Sequence, residues 1–332
     1  MKSRRTIGVL VPTDGNTPTT PPSARPIGRA ALRLVDHNID VIFGDQLLAG
    51  KITGFRATKD GWVAAHNVVV SGLHDRFPSQ LRAEKYEAIL AASTDIPMGN
   101  SPAVTRLCRD KLRTQEVLQE VGIPMPPVQG DPARFSTDLT LWGHGYLKPR
   151  YGALGIGVVR VSPGDPLPTH TTGVVPHRPD PTILQAGVAP PAGWASRTVR
   201  VLIQRTPEGG WFSGIPVVRQ SRIDPVANAA RGAEVAPGPA VLNQKTLNRI
   251  DDAVLELCRA FDQIESARHL VEAGVDLVLD GDHRPWLIEV NSRPRGRMEV
   301  LANTDPETYL AAHINACARP LQVIAGWMEG ED

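Results

Sequence analysis

The sequence predicts an α/β protein with more than one lobe. Over its 332 residues, short apolar runs bounded by turns alternate with segments of helical periodicity. That alternation is typical of sheets covered by helices. The length is sufficient for two or three lobes, and 41% hydrophobic residues, spread along the whole chain, are typical of a globular protein.

Composition argues against several classes of function. The formal net charge of +1 gives no indication of binding to nucleic acid or to an anionic membrane. No apolar run reaches the roughly 18 residues of a membrane span, and the apolar segment near the N-terminus is too short for a signal peptide. Three cysteines without metal-binding spacing predict reduced thiols packed in helices. We therefore expect a cytoplasmic protein without nucleic-acid or membrane partners.

Residues 1–98 are predicted to form a small N-terminal α/β lobe. The continuous apolar run Thr6–Val11 predicts a buried parallel strand, and the Pro- and Thr-rich segment Asp14–Pro26 predicts a loop. The other predicted elements of this lobe are helices at Ile27–His37 and Gln80–Ser93 and strands at Val41–Phe43 and Trp62–Val70. The sequence Asp95-Ile96-Pro97 then breaks the pattern and closes the lobe.

Residues 99–190 are predicted to form a second lobe, which opens on two helices. Ser101 followed by Pro102 is typical of a helix start, and Gly122 ends the second helix. The predicted elements are helices at Ala103–Lys111 and Thr114–Val121 and strands at Gly145–Lys148, Val158–Val161 and Thr182–Gln185.

Residues 191–332 are predicted to form the third lobe. Strands are predicted at Thr198–Gln204 and Trp211–Val218, a loop at 221–240, and helices at Gln244–Ile264 and Pro306–Val323. Between these helices, the apolar runs Val275–Leu279 and Trp286–Val290 flank a polar turn, which predicts a β-hairpin.

The hairpin carries a candidate metal site. If Leu279 pairs with Trp286, Asp276 lies across from Glu289, and Asn291 shares the face of Glu289 because side chains alternate along a strand. Facing carboxylates repel unless a cation lies between them, and carboxylate and amide oxygens suit Mg²⁺. The alternative is a solvated hairpin whose acids face water.

A second candidate site is a lysine followed by a glycine-rich loop. Lys148 ends a predicted strand, and Gly152, Gly155 and Gly157 follow before the next strand begins. Such a loop brings backbone N–H groups close to phosphate oxygens. It lacks the Walker A pattern and the helix that follows a dinucleotide fingerprint. Taken alone, it is equally consistent with a tight surface hairpin.

Other residues are weaker candidates. Only 7 of the 36 basic residues are lysine, which draws attention to Lys111, although its local sequence alone predicts a solvated position. Gln185 and Val188, at the end of a strand, offer backbone groups to an adenine edge. An arginine set lies in facing strands and beyond the hairpin, where bidentate contacts to phosphate or carboxylate are expected; it comprises Arg200, Arg219, Arg293, Arg295 and Arg297.

The order of these motifs resembles the ATP-grasp superfamily over roughly residues 99–330. The motifs are Asp-Lys on a helix, Lys-Pro-x-x-Gly-x-x-Gly-x-Gly, a strand ending in Gln, Arg-x-x-Arg-Val-Leu-Ile-Gln, and Asp-x12-Glu-x-Asn-Ser-x-Pro. Within the superfamily the chain looks most like the YheC/YheD branch, with RimK-like and glutathione-synthetase-like ligases as neighbours. Ala186 and Thr198 stand where this branch usually has acidic residues.

The resemblance implies an ATP-grasp fold behind an N-terminal pre-ATP-grasp lobe, and it implies roles for the candidate residues. Lys111 and Lys148 would contact the phosphates of ATP, Gly152–Gly157 would form the phosphate lid, and Gln185 and Val188 would flank the adenine. Asp276, Glu289 and Asn291 would hold Mg²⁺, for which Mn²⁺ could substitute. Arg200, and with it Arg219, would stabilise the transferring phosphoryl group or the acyl phosphate. Arg293 and Arg295 would face the substrate.

The implied activity is ligation of a carboxylate to an amine through an acyl phosphate, with ADP and phosphate as products. The substrates would be amino acids or peptides, and a homodimer is expected by analogy with relatives. Three alternatives stay open at this point: an ATP-binding structural protein without catalysis, an ATP-grasp kinase, and a ligase that cross-links side chains of a ribosomal peptide.

Overall fold

The computed structural model describes residues 5–13, 24–79, 81–153, 155–173, 179–227, 232–294 and 298–327, and these residues form three β-sheets covered by helices. No described helix is long and apolar enough to cross a membrane. The three cysteines are buried and form no disulfide, and each lies in a helix, as predicted.

The first sheet contains a parallel centre and an antiparallel margin. Its strands, in the spatial order β4-β3-β2-β1-β5-β6, are β1 Arg5–Leu10, β2 Ile39–Leu48, β3 Lys51–Thr58, β4 Gly61–Val69, β5 Gly72–Asp75 and β6 Met98–Gly99. The predicted buried parallel strand is confirmed, because β1 pairs in parallel with β2 and β5 and its last four residues are buried. Helices α1 (Arg25–Leu34) and α2 (Ala83–Ala91) belong to this part of the chain, and α1 continues as a 3₁₀ turn over Val35–His37.

The second sheet is antiparallel and smaller. Its strands are β7 Val128–Gln129, β8 Gly145–Pro149, β9 Val159–Val161, β10 His170–Thr172 and β11 Pro179–Ala186, in the order β10-β11-β8-β9 with β7 also on β11. Helices α3 (Pro102–Arg109) and α4 (Lys111–Glu120) precede it, and α5 (Phe135–Trp142) packs Phe135 and Leu139 against Leu147 and Leu184.

The predicted helix Ala103–Lys111 ends too late. The structure ends α3 at Arg109, and the Asp110 side chain accepts a hydrogen bond from Arg113 N at 3.2 Å as the N-cap of the next helix. Aspartate favours a cap over a helix interior because its oxygen competes for backbone N–H groups. Lys111 is therefore the first residue of α4.

The third sheet is also antiparallel and follows the order β15-β14-β12-β16-β17, with β13 on β12. Its strands are β12 Ser196–Arg205, β13 Trp211–Ser213, β14 Val217–Ser221, β15 Glu234–Pro237, β16 Glu272–Leu279 and β17 Pro285–Asn291. The helices are α6 Gly238–Val241, α7 Gln244–Gln263, α8 Glu299–Thr304 and α9 Pro306–Gly326, with 3₁₀ turns at Pro132–Arg134 and Glu265–Ala267. One face of the sheet packs on α7.

Two predictions for this lobe are wrong. The single strand Trp211–Val218 is divided, because Gly214 N donates to Leu202 O at 2.7 Å and Pro216 has no N–H with which to continue a ladder. The predicted loop at 221–240 contains β15 and α6, since β14 pairs with β15 from Val217–Pro237 to Gln220–Glu234.

The last helix packs on the first sheet. Ile314, Leu321 and Ile324 of α9 share a core with the β1 residues Ile7 and Val9. The approach is close enough that a Cβ placed on Gly72 or on Gly99 would lie 2.6 Å from an Ile324 side-chain atom. The predicted domain limits at residues 98 and 190 stay predictions, and this contact joins the two ends of the chain.

Candidate functional site

Alternation along β12 divides the third sheet into a core face and an open face. Val199, Val201 and Ile203 are buried against α7. Thr198, Arg200 and Leu202 therefore point the other way, and all three line a cavity of about 680 Å³. A cavity of this size is typical of a small-molecule site.

The hairpin pairs Asp276 with Glu289, but by a different register from the one predicted. Leu279 pairs with Pro285 and Val278 with Trp286, so the predicted pair of Leu279 with Trp286 is wrong by one residue. The turn closes earlier because the Asp280 carboxylate accepts from Arg284 N at 2.8 Å and Asp280 N donates to Arg284 O at 3.0 Å. A bulge next to Asp276 absorbs the extra residue.

Asp276 is the most heavily contacted carboxylate of the cavity. Arg200 donates from Nε and Nη2 to its two oxygens, and Arg219 Nη1 lies 3.6 Å from Oδ1. Asn291 Nδ2 donates to Oδ2 at 3.3 Å. A Cβ on Gly274 would lie 2.7 Å from Arg200 Nη1, so glycine at that position leaves space for the guanidinium.

The pKa values of the two arginines shift in opposite directions. Burial disfavours the Arg200 cation, but attraction by Asp276 and the hydrogen bonds to it outweigh that cost and raise its pKa. Burial lowers the pKa of Arg219, and the attraction of Asp276 offsets this only in part. Because arginine stays protonated in proteins, both side chains are cations.

Lys111 lies inside the cavity, contrary to the solvated position that its local sequence predicts. Its side chain is 11% exposed, its Nζ lies 3.5 Å from Glu289 Oε1, and it donates to Gly152 O. The turn between α3 and α4 places it there. Arg150, just after β8, holds that turn by accepting at its carbonyl from Lys111 N at 3.2 Å and donating to both Asp110 oxygens at 2.7 and 2.8 Å.

Lys148 faces the same space from the second sheet. Its ammonium donates to Gln185 Oε1 on the neighbouring strand, where Ile183 is its direct partner. Burial lowers the pKa of Lys148 to about 8; attraction by Glu289 and Asp276 raises it, and repulsion by Lys111 lowers it. The two lysines thus converge on the carboxylates from different elements.

The glycine loop joins β8 to β9, and Gly152 and Gly155 line the cavity. Gly155 and Gly157 have positive φ angles of 70° and 69°, a backbone region that favours glycine. Gly157 is not among the cavity-lining residues, although a Cβ there would lie 2.4 Å from Thr172 O. Glycine in this loop therefore serves both the turn and a close approach to β10.

The structure brings most of the predicted site residues to one cavity. The members that line it are Lys111, Lys148, Gly152, Gly155, Gln185, Val188, Arg200, Arg219, Asp276, Glu289, Asn291 and Arg293. Arg293 is already engaged, since it donates to Asp75, to Ser79 Oγ at 3.0 Å and to Tyr86 OH at 3.1 Å. Arg295 and Arg297 lie outside the described residues.

Sequence reasoning missed several lining residues. Tyr146 and Val278 share strand faces with Lys148 and Asp276, so alternation alone could have identified them. Ser79, Ile215, Met298 and Leu301 come from distant segments, and no local pattern indicates them.

The donor set fits Mg²⁺ held jointly with phosphate. The described residues contain no group of three or more His, Cys, Asp or Glu side chains suited to a metal. Asp276 and Glu289 supply two carboxylates on paired strands, with the Asn291 amide beside Asp276. Mg²⁺ commonly takes one or two carboxylates and completes its shell with water and substrate phosphates.

Solved structures with the same fold include an ATP-grasp ligase. One is the VanG D-Ala:D-Ser ligase from Enterococcus faecalis, at 11% identity, with a TM-score of 0.59 over 97% of this chain and 100% of that chain. Another is the ATP-grasp ligase PsnB complexed with a phosphomimetic variant of its minimal precursor, Mg and ADP, at 15% identity and a TM-score of 0.57, covering 95% and 99%. A third is N5-carboxyaminoimidazole ribonucleotide synthetase from Thermotoga maritima, at 13% identity and a TM-score of 0.53, covering 89% and 71%.

The chain therefore has the ATP-grasp fold, which confirms the predicted fold class. Within that fold, residues 180–314 match the model of the YheC/D-like ATP-grasp family, the branch that the motifs indicated. A search of curated proteins gave no match.

Proposed function

We propose that this protein is an ATP-dependent ligase that joins a carboxylate to an amine. The observation that carries the proposal is the meeting of Lys111, Lys148 and Arg200 with Asp276 and Glu289 inside one cavity. This set combines cations for phosphates with carboxylates for a metal. VanG and PsnB are both ligases, and the fold that they share with this chain supports the proposal.

The reaction has two steps. A substrate carboxylate oxygen attacks the γ-phosphorus of ATP, the bond from that phosphorus to the bridging oxygen breaks, and ADP leaves with the electron pair. The amine then attacks the acyl carbon of the acyl phosphate, the bond from carbon to the phosphate oxygen breaks, and the amine loses a proton to solvent. Both attacking and attacked groups of the first step are anionic, so positioning and charge neutralisation dominate catalysis.

Each residue then has a defined task. Lys148 and Lys111 neutralise phosphate oxygens from the small sheet and from the α4 N-terminus, and Arg200 and Arg219 do so from the large sheet. Asp276, Glu289 and Asn291 would hold Mg²⁺, which when bound screens the phosphate charge. Gln185 and Val188 also line the cavity, and they would contact the adenine. The glycine loop closes over the phosphates through its N–H groups.

Hydroxylamine trapping tests the proposal before the natural amine is known. The protein is incubated with Mg·ATP, hydroxylamine and pools of free and N-acetylated amino acids. An acyl phosphate reacts with hydroxylamine to give a hydroxamate, so a ligase forms hydroxamate and ADP in equal amounts, and Glu289→Gln should form neither. ADP accompanied by a stable phosphorylated pool member would contradict the ligase and identify a kinase.

A further inference from the structure

The open face of β12 changes from charged to apolar between two successive side chains. Arg200 is followed on the same face by Leu202, and residues two apart on a strand are about 7 Å apart. Leu202 pairs with Gly274 on β16, which has no side chain, whereas Arg200 pairs with Asp276. We call Arg200, Asp276 and the Glu289 opposite it the charged row. Beyond this row, β12 and β16 present Leu202 and a glycine, and on the other side of Arg200 its partner on β14 is the apolar Val217.

Side chains from two other segments complete this apolar surface into a pocket. Leu202, Met298 and Leu301 are buried in one cluster, and the half-buried Ile215 and Val217 pack against it. All five also line the cavity that holds the charged row. We call these five residues the apolar pocket.

The rim of the cavity is apolar as well. Leu81, Ile156 and Val300 line the cavity and are 55%, 40% and 54% exposed. They come from the loop before α2, from the glycine loop and from α8. Isolated exposed aliphatic residues are ordinary, but three around one opening mark a surface that an apolar ligand can cover.

The positions of the cations in the cavity determine where the carboxylate of a substrate lies. Arg293 is held by Asp75, Ser79 and Tyr86. Arg200 lies in the charged row, and Arg219 Nη1 lies 3.6 Å from Asp276 Oδ1 of that row. A carboxylate that attacks the γ-phosphate has to lie in that row. Whatever the carboxylate is attached to then extends into the apolar pocket, where a charged group would lose hydration without a partner.

We propose that the carboxylate donor is an amino acid or peptide unit with a bulky apolar side chain, of leucine or phenylalanine size, which lies in the apolar pocket. This inference rests on the proposed ligase function, because it takes the charged row as the place of the reacting carboxylate. It narrows the substrate class on steric and solvation grounds.

Equilibrium binding tests the pocket without turnover. The probes are the leucine, phenylalanine, alanine and aspartate members of two series, free and N-acetylated, and binding is followed by ligand-observed NMR with Mg²⁺ and a non-hydrolysable ATP analogue. Leucine or phenylalanine probes should bind at least about tenfold more tightly than the alanine probe, because three or more additional carbons leave water.

Variants assign the preference to the pocket. Ile215→Ala, at a half-buried position, should reduce the preference for leucine over alanine several-fold and leave alanine binding unchanged. Leu141→Ala is the matched control, since Leu141 is on α5, is 80% exposed and does not line the cavity. Retained thermal stabilisation by the ATP analogue shows that the variants are folded.

The results of the two assays distinguish a failure of the pocket proposal from a failure of the ligase proposal. Any one of four results would overturn the proposed apolar preference. They are equal binding of all probes, tighter binding of aspartate, a preference that is unchanged in Ile215→Ala, and no binding of apolar probes at millimolar concentration. If apolar probes bind with the expected preference while the hydroxylamine assay yields no hydroxamate, the pocket stands and the ligase proposal falls.

Discussion

Lys148 gives the site a pH dependence that can be worked out in sign and size. Burial lowers its pKa from 10.5 to about 8. In the free protein, about nine-tenths of Lys148 is therefore charged at pH 7 and about one-tenth at pH 9. If the ammonium is needed for phosphate binding, the affinity for Mg·ATP should fall about tenfold between these two pH values.

Calorimetric titration with Mg·ATP from pH 7 to 9.5 measures this effect directly. Phosphate groups complete their ionisation near pH 6, so the ligand does not titrate in that window. Lys148→Arg is the matched variant, because a guanidinium stays charged throughout and its Kd should vary little with pH. A Kd that is constant to pH 9.5 in the natural protein, or the same tenfold loss in Lys148→Arg, would show that the charge of Lys148 does not control nucleotide binding.

Three further predictions concern Asp276 and the residues around it. Glu289→Gln should weaken metal binding and abolish turnover with little change in melting temperature; full turnover would contradict the metal role. Arg200→Ala should raise the affinity of the nucleotide-free protein for Mn²⁺ about tenfold, because the metal no longer competes with two charge-assisted hydrogen bonds to Asp276. Electron paramagnetic resonance measures this affinity, and unchanged or weaker Mn²⁺ binding would contradict the competition. Gly274→Ala should destabilise the fold by about 1–3 kcal/mol in denaturant titrations, because its Cβ would lie 2.7 Å from Arg200 Nη1; an unchanged midpoint would show that the guanidinium relocates freely.

The hairpin shows what alternation can and cannot predict. Alternation along two strands was sufficient to place Asp276 across from Glu289. It did not predict the bulge, because the closing of the turn depends on how the Asp280 side chain caps the backbone of Arg284. The facing of the two carboxylates survived only because the bulge restored the register before Asp276.

Lys111 shows the limit set by tertiary contacts. Its local sequence, next to Asp110 and charged neighbours, is that of an exposed helix residue. Its position in the cavity depends on Arg150, which is 40 residues away from Asp110 and bonds to both of its oxygens. A single sequence contains no local signal for such a contact, so the resemblance to a family carried that expectation.

The apolar pocket depends even more on long-range packing. Leu202 and Val217 come from strands that the sequence predicted at least in part, whereas Met298 and Leu301 come from a segment without any predicted element. Met298 has a φ of 67° and precedes α8, a conformation that methionine rarely favours and that no propensity argument would predict. Substrate-facing residues are thus the part of the site that sequence reasoning reached least.

The decisive test of the ligase proposal is product analysis by mass spectrometry after incubation of the protein with Mg·ATP and pooled amino acids and dipeptides. A carboxylate–amine ligase should give ADP and phosphate together with a new mass equal to two pool members minus water, one of them with a bulky apolar side chain. ADP together with a phosphorylated pool member and no condensed product would contradict the central claim.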